Sequence, residues 1–369
     1  MLKRWAAEKR IHREPIYKDL TLPLEKAMLG RIAYDFFQGN RLFFLRKEVT
    51  DKIVAFLASN LNSPKHMDGD EVLKAIEIQQ GILVARDRTG GVLSFSHLTF
   101  QEYLTAQHFA DHSALKKLAG EHLTDDRWHE VFLLTSGLAR PRADKLLQAI
   151  AAHCSEIVAE PSVSSLLIWA EKVASNSDSP FKPAIKRIAA LAIANLYLHF
   201  CNFANAVDLA LTPSPSHYNE RIRDIAETNS LINTLARSLG LDFNLCLDFG
   251  GATLFDSPYE VFRIFRENLH SLISRLKTKV KLEFLVHKEA SLKVSPELNY
   301  EIGNYLKYVE KECESIGLPV EILEMTSEHI KCITSYLQAN KLLLDCKDTA
   351  IYVSPNVWFE IEEGLISAK

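Results

Sequence analysis

Phe95-Ser96-His97-Leu98-Thr99-Phe100-Gln101-Glu102-Tyr103-Leu104-Thr105-Ala106 reads as a strand that runs directly into a helix. Thr99 and Glu102 stand three apart just before an apolar run, the spacing of a capping box. The threonine hydroxyl accepts from the N–H of Glu102 while the glutamate carboxylate reaches back to the N–H of Thr99. Leu98 outside the cap and Tyr103 in the first turns suit a hydrophobic staple, which would set the angle at which the strand enters the helix. His97 is left at the hinge.

Working upstream, Leu24, Met28, Leu29, Ile32, Ala33 and Phe36 recur at helical spacing, and Gly39-Asn40 supplies a C-cap. A second helix is expected near Thr50 to Ser59, carrying Ile53, Val54, Phe56 and Leu57. A third is expected near Asp70 to Gln80, stopped by Gly81. Ile82–Arg86 and Val92–Phe95 then flank Asp87-Arg88-Thr89-Gly90-Gly91, whose glycines suit a hairpin. Three helices and a hairpin compose a winged helix. In such a fold the third helix would enter the DNA major groove. Here it offers Asp70, Glu71 and Glu77 against Lys74, a face that phosphate repels.

These segments resemble the winged-helix part of NACHT-family signal-transduction ATPases. The similarity is dense over Phe95–Ala106, continues upstream through Leu29–Ala33 and Gly81-Ile82-Leu83, and downstream through Asp126-Arg127-Trp128-His129-Glu130-Val131. It covers roughly residues 1–140. A weaker similarity to the C-terminal helical regions of bacterial NACHT defence proteins lies at Ala339–Cys346 and Val353-Ser354. The resemblance implies that His97 contacts the phosphates of bound ADP and helps to hold the protein closed. Its structural motif residues would be Phe95, Thr99, Phe100, Glu102, Tyr103 and Trp128. The bland reading of His97, a packed corner residue bonded to nearby backbone, stands beside it with equal weight.

A NACHT ATPase needs a G-x-x-x-x-G-K-[ST] loop to cradle phosphates and an acidic strand end for magnesium. Neither is found in this sequence. The chain is therefore expected to correspond to the distal half of such a protein, as a fragment, a split gene product or a truncated relative. No G-x-S-x-G elbow, kinase signature set or zinc-deaminase pattern occurs either, so no catalytic residues are expected. His108 and His112 have a metal-compatible spacing, but His-Phe-Ala-Asp-His lacks the glutamate of HExxH. They are expected to lie on the surface, with no metal. The acidic pairs Asp125-Asp126 and Glu362-Glu363 are expected to be solvated charges at helix ends.

Downstream, a helix is expected from Thr124 to Gly137 with Trp128, Val131 and Phe132 on one side, followed by a helical array broken at Glu160-Pro161 and at residues 175–180. Ile188–Ala210 is apolar for about 20 residues, the length of a membrane span. Asn195, His199, Asn202, Asn205 and Asp208 interrupt it, so a buried core helix is the better reading. Thr212-Pro213-Ser214-Pro215-Ser216 reads as a linker. Val280, Leu282, Phe284 and Val286 alternate with charged residues as in a strand, with residues 245–249 and 320–323 as candidate partners. Helices are expected again at 298–316 and 327–346, and a last one opens on Ser354-Pro355.

Composition bounds the rest. The 369 residues allow two or three domains. A hydrophobic fraction of 47% with 24% charged residues is ordinary for a globular protein. A net charge of −4 lacks the basic excess of a nucleic-acid binder. The six scattered cysteines, with no CxxC pair, fit reduced thiols, and the basic N-terminus lacks the apolar core of a signal peptide.

The expected protein is mainly α and cytoplasmic. A winged-helix module with a short β-hairpin spans 1–112, a middle helical region 113–211, and a C-terminal helical sensor or interaction domain 217–369, where a small strand element is left open. By resemblance its role is the regulatory and sensor half of a STAND-type NTPase in prokaryotic antiphage or conflict signalling. Such a half needs no cofactor of its own, ATP or ADP arriving only with an ATPase half. Its partners would be that half, a phage or host trigger protein, and copies of itself in a trigger-dependent oligomer, with neither DNA nor membrane. The alternatives are a winged-helix DNA-binding regulator and a stand-alone helical adaptor.

Overall fold

The computed structural model describes residues 20–60, 67–112, 114–140, 143–157, 161–176, 181–192, 194 and 325–367, with scattered positions in 227–238 and 307–321. The expected linker at 212–216, the strand at 280–286 with its candidate partners at 245–249, and the apolar run beyond residue 194 lie outside the described residues. Among the described residues no helix is long and apolar enough to cross a membrane. The contacts divide into two compact units, one of residues 1–149 with 345–353, the other of residues 150–344 with 354–369.

The first unit opens with α1 (Leu22–Gln38), which buries Met28, Leu29, Ile32, Ala33 and Phe36, the stripe expected from its spacing. It closes with Asn40 in the left-handed region, φ 51°. The N–H groups of Asn40 and Arg41 return to Phe37 O and Phe36 O, each at 2.9 Å, the paired bonds of a Schellman motif. Two residues, Phe44–Leu45, form β1.

Helix α2 (Arg46–Ser59) starts four residues before the expected position. The Glu48 carboxylate accepts from the N–H of Leu45 at 2.9 Å and from both terminal nitrogens of Arg41 at 2.7 and 2.9 Å, so the first turn is capped from within. These bonds, that from Arg41 first, hold the Glu48 carboxyl down to about 2. Helix α3 (Gly69–Ala75) is capped by Asp68, whose side chain accepts from Asp70 N. The expected continuation is not α-helical. Ile76–Gln80 is a wide π turn, closed by Gly81 at φ 61° with its N–H on Ile76 O at 3.2 Å, a geometry that favours glycine.

Strands β2 (Leu83–Ala85) and β3 (Val92–Phe95) pair antiparallel with Leu83 opposite Phe95. The sheet order is β1-β3-β2, because Phe44–Leu45 pairs on the far side of β3. Phe36 stacks on Phe44 at 4.1 Å and Phe44 meets the edge of Phe95 at 5.7 Å, so helix and sheet share one aromatic core. Arg46 ties the hairpin to the helices, donating from Nε to Gly90 O at 2.7 Å and from a terminal nitrogen to the Glu77 carboxylate at 2.7 Å. This is a three-helix, three-stranded winged helix, in agreement with the expected fold apart from the added strand.

Helix α4 (Leu98–His112) crosses α1 at Gly30, where an added Cβ would come within 3.1 Å of Leu104 O. After α5 (Leu115–His122) and a 3-10 turn at Asp126–Trp128 comes α6 (His129–Ala139). Gly137, expected to end this helix, lies inside it. An ideal Cβ there would be 3.4 Å from Thr349 O, so the glycine admits a close approach rather than a stop, and Ser136 Oγ beside it donates to Cys346 O at 2.6 Å.

Four described helices extend into the second unit or belong to it, α7 (Ala143–Ile157), α8 (Pro161–Ser175), α9 (Ser327–Thr349) and α10 (Pro355–Gly364), together with a helical stretch at 183–192. Ile333, Leu337, Asn340 and Leu344 of α9 are buried on one face as expected. Past α10 the chain turns back through Ile366 at φ 57°. Leu365, Ile366 and Ser367 are all buried. Arg187 Nε donates to Leu365 O at 2.9 Å, and another of its nitrogens donates to Glu363 O. Tyr336 Oη donates to Ser367 O at 3.0 Å. Glu362, expected to be a solvated charge, instead accepts from Lys182 Nζ at 2.8 Å.

Candidate functional site

The corner between β3 and α4 is braced from both sides. Arg86, at the end of β2, donates from Nε to Ser94 Oγ at 2.6 Å and from a terminal nitrogen to Phe95 O and Ser96 O at 3.3 and 3.4 Å. The N–H of Ser96 donates to Ile82 O at 2.7 Å. Phe95 is buried, and Phe100 and Tyr103 pack half-buried against the winged-helix core. Rigid elements therefore fix the backbone on each side of His97.

His97 itself is exposed rather than packed into a core, and its ring does bond nearby backbone, as the bland reading expects. Its O accepts from the N–H of Phe100 at 3.1 Å, and its Nδ1 accepts from the N–H of Thr99 at 3.3 Å. Nδ1 also lies 2.9 Å from Thr99 Oγ1. His97 is thus the residue that caps α4, and the expected Thr99–Glu102 capping box does not form. The helix begins at Leu98, two residues earlier than that box requires, so the Thr99 N–H is already taken. Leu98, the expected staple residue, is 46% exposed.

Glu102 is half-buried instead, its carboxyl raised above the ordinary carboxylate range by desolvation and by the nearby charge of Glu130. Both line a cleft of about 300 Å³ together with Leu98, Gln101, Arg41 and Arg127. Arg41 is held by Glu48. Arg127 is held by Asp125, one of the four acids expected to be solvated charges at helix ends, whose carboxylate caps the 3-10 turn by accepting from Arg127 N.

Trp128, next to Arg127, is fully buried. Its indole stacks on the His122 ring at 3.6 Å and 6°, and meets Phe37 edge-on at 4.9 Å.

His108 corrects another expectation. It is 9% exposed, not a surface residue, and stacks on Tyr34 at 4.8 Å. His112 is exposed and places its Nδ1 2.8 Å from His108 O, which leaves that nitrogen engaged with backbone. Among the described residues no group of three or more metal-ligating side chains comes together.

Burial first, then the charges of His112 and Arg31, push the His108 imidazole down to about 4. A base whose folded value lies below its unfolded value of about 6.5 takes up its proton first in the unfolded chain. Stability is therefore full above pH 6.5 and is lost as pH falls towards 4. His122, also pushed down by burial, acts with the same sign. Denaturant melts of the first unit should lose on the order of 2 kcal/mol across that window. His108→Phe, which keeps a ring against Tyr34 and titrates nothing, should flatten much of that slope.

Residues 19–109 match the family model of the winged helix-turn-helix domain C-terminal to NACHT, and residues 269–368 match NACHT C-terminal Helical domain 2. No curated protein and no solved structure matches the chain. The first match begins just before α1 and ends within α4, so His97 lies inside it. The second takes in α9, α10 and the buried turn that follows.

Proposed function

We propose that this chain, which carries two domains of the C-terminal part of NACHT-type proteins, is the regulatory and sensor half of a NACHT/STAND-type signalling ATPase. In this reading it acts in prokaryotic antiphage or conflict defence and performs no catalysis of its own. His97 serves as a resting-state contact to the phosphates of ADP held by an ATPase half, and the C-terminal helices receive the trigger. The observation that carries the proposal is the exposure of His97 on a braced corner, with Nδ1 occupied by its own helix. Among the described residues the ring's hydrogen bonds are made at Nδ1 and none at Nε2. A histidine whose only task was to complete a packed core would be buried.

Joining the chain to an ATPase half and replacing His97 by alanine or leucine tests this. A contact made in one state alone biases the equilibrium by its differential energy. A hydrogen bond to a charged group contributes roughly 1.5–3 kcal/mol, so the open population should rise about ten- to a hundredfold. Oligomerisation or toxicity without trigger is the expected readout. A variant that stays silent with and without trigger would reject the latch.

A further inference from the structure

The two hydrogen-bonding groups of Thr99 converge on one ring nitrogen of His97, the hydroxyl at 2.9 Å and the amide at 3.3 Å. A backbone N–H can only donate, so the nitrogen it faces must accept. In a neutral imidazole one nitrogen carries the proton and the other accepts, and the hydrogen bond made by one nitrogen decides the state of the other. With Nδ1 accepting, the proton sits on Nε2, and the Thr99 hydroxyl, able to play either role, becomes a second donor to the same lone pair. His97 and Thr99 are both exposed, so this pairing is not forced by a surrounding core.

We propose that Thr99 is a positioning residue for His97, holding the ring as the Nε2–H tautomer and thereby fixing which chemistry the corner presents. The inference rests on the reading of His97 as the ligand contact and adds what kind of ligand atom it selects. With the proton on Nε2 the outer edge of the ring is a donor and favours an oxygen that can only accept, such as one of an ionised phosphate. The opposite tautomer would turn a lone pair outward and repel the same oxygen. Anchoring Nδ1 to the first turn of α4 also fixes the ring plane relative to a corner that Arg86 already braces. The donor is thus oriented before any ligand arrives, which lowers the ordering cost of binding.

The full chain, labelled with ¹⁵N at histidine, tests this by two-bond proton–nitrogen correlation at alkaline pH, where the rings are neutral. His97 is identified among the 13 histidines by the peak missing from His97→Gln. The wild-type spectrum should show the proton on Nε2. Thr99→Val keeps the side-chain shape and the amide but removes the hydroxyl. It should move the tautomer ratio about three- to tenfold towards Nδ1–H, the size of one neutral hydrogen bond, and Thr99→Ser should restore it. A wild-type ring protonated on Nδ1, or a folded Thr99→Val with an unchanged spectrum, overturns the proposal. Because no nucleotide is present, the two readings fail separately. If the tautomer is as stated and His97→Ala in the joined protein is silent, the latch falls and the positioning role stands.

Discussion

Replacing Arg187 by alanine should cost the second unit about 3–5 kcal/mol, the usual penalty for breaking a buried ion pair from one side. The guanidinium side chain is only 3% exposed and lies 2.7 Å from the Glu171 carboxylate. It donates at the same time to Leu365 O and Glu363 O. Alanine leaves the half-buried carboxylate without this partner, and it leaves two carbonyls at the end of α10 without the donor that now reaches them. Lysine should recover little of the loss, because a single ammonium cannot reproduce the planar fork that serves three acceptors. The turn so held includes Ile366 at φ 57°, a conformation that costs a β-branched residue energy. The clamp therefore holds a segment that would otherwise relax outward. Urea melts of the full chain should show an earlier transition. Glu171→Gln should cost less, since both carbonyls keep their donor. A coupling of 0.5–3 kcal/mol between the two substitutions would identify the pair as one unit. A melt unchanged for Arg187→Ala would show that the C-terminal turn is held by its apolar contacts alone.

That arginine was not legible in the sequence, where it stands beside an apolar run and its partners lie 16 to 178 positions away. Local signals fared better. The stripe of α1, the turn glycines and the Ser354-Pro355 start each depend on neighbours within a few residues, and each element forms where expected. The strand at Phe44–Leu45 is too short to show alternation, and its partner lies across the whole domain.

Besides the Gly137 stop and the expected continuation of α3, two local readings failed for definite reasons. Thr99 and Glu102 carry the signature of a capping box, yet an imidazole can accept the same amide, and with His97 one position ahead of the helix the amide goes there. His108 looked like a surface residue because its spacing to His112 drew attention to metal binding. Its spacing to Leu104 is equally helical, and both face α1 at Gly30, where the missing side chain lets the backbone of α4 come close and the ring lies on Tyr34. At the candidate site, then, the place of His97 between strand and helix was legible in the sequence, whereas its hydrogen bonds depend on geometry that residue spacing does not specify.

Trp128→Ala should destabilise the first unit by about 3–5 kcal/mol, as expected for emptying a fully buried aromatic site. The indole has no exposed surface. It is enclosed by the His122 ring at 3.6 Å, the edge of Phe37 at 4.9 Å and that of Phe109 at 5.9 Å. These rings come from α5, α1 and α4, so a cavity here loosens three helices at once. One feature moderates the loss, because the indole Nε1 is buried without a hydrogen-bond partner among the described residues. An unsatisfied buried donor carries a desolvation penalty of about 1–3 kcal/mol, which any apolar replacement removes. Trp128→Phe should therefore cost less than the alanine variant, since it keeps a ring between His122 and Phe37, leaves a smaller cavity and removes the unpaired donor. The same series reads out on the cleft, because Trp128 sits at the start of α6, which positions Glu130 against Glu102. Loosening the start of α6 should weaken the charge of Glu130 on Glu102 and lower the Glu102 carboxyl towards its ordinary value, visible as a shift in its side-chain carbonyl resonance with pH. Equal destabilisation by alanine and phenylalanine would instead mean that the indole nitrogen makes a bond, and that Trp128 is held by polarity as much as by packing.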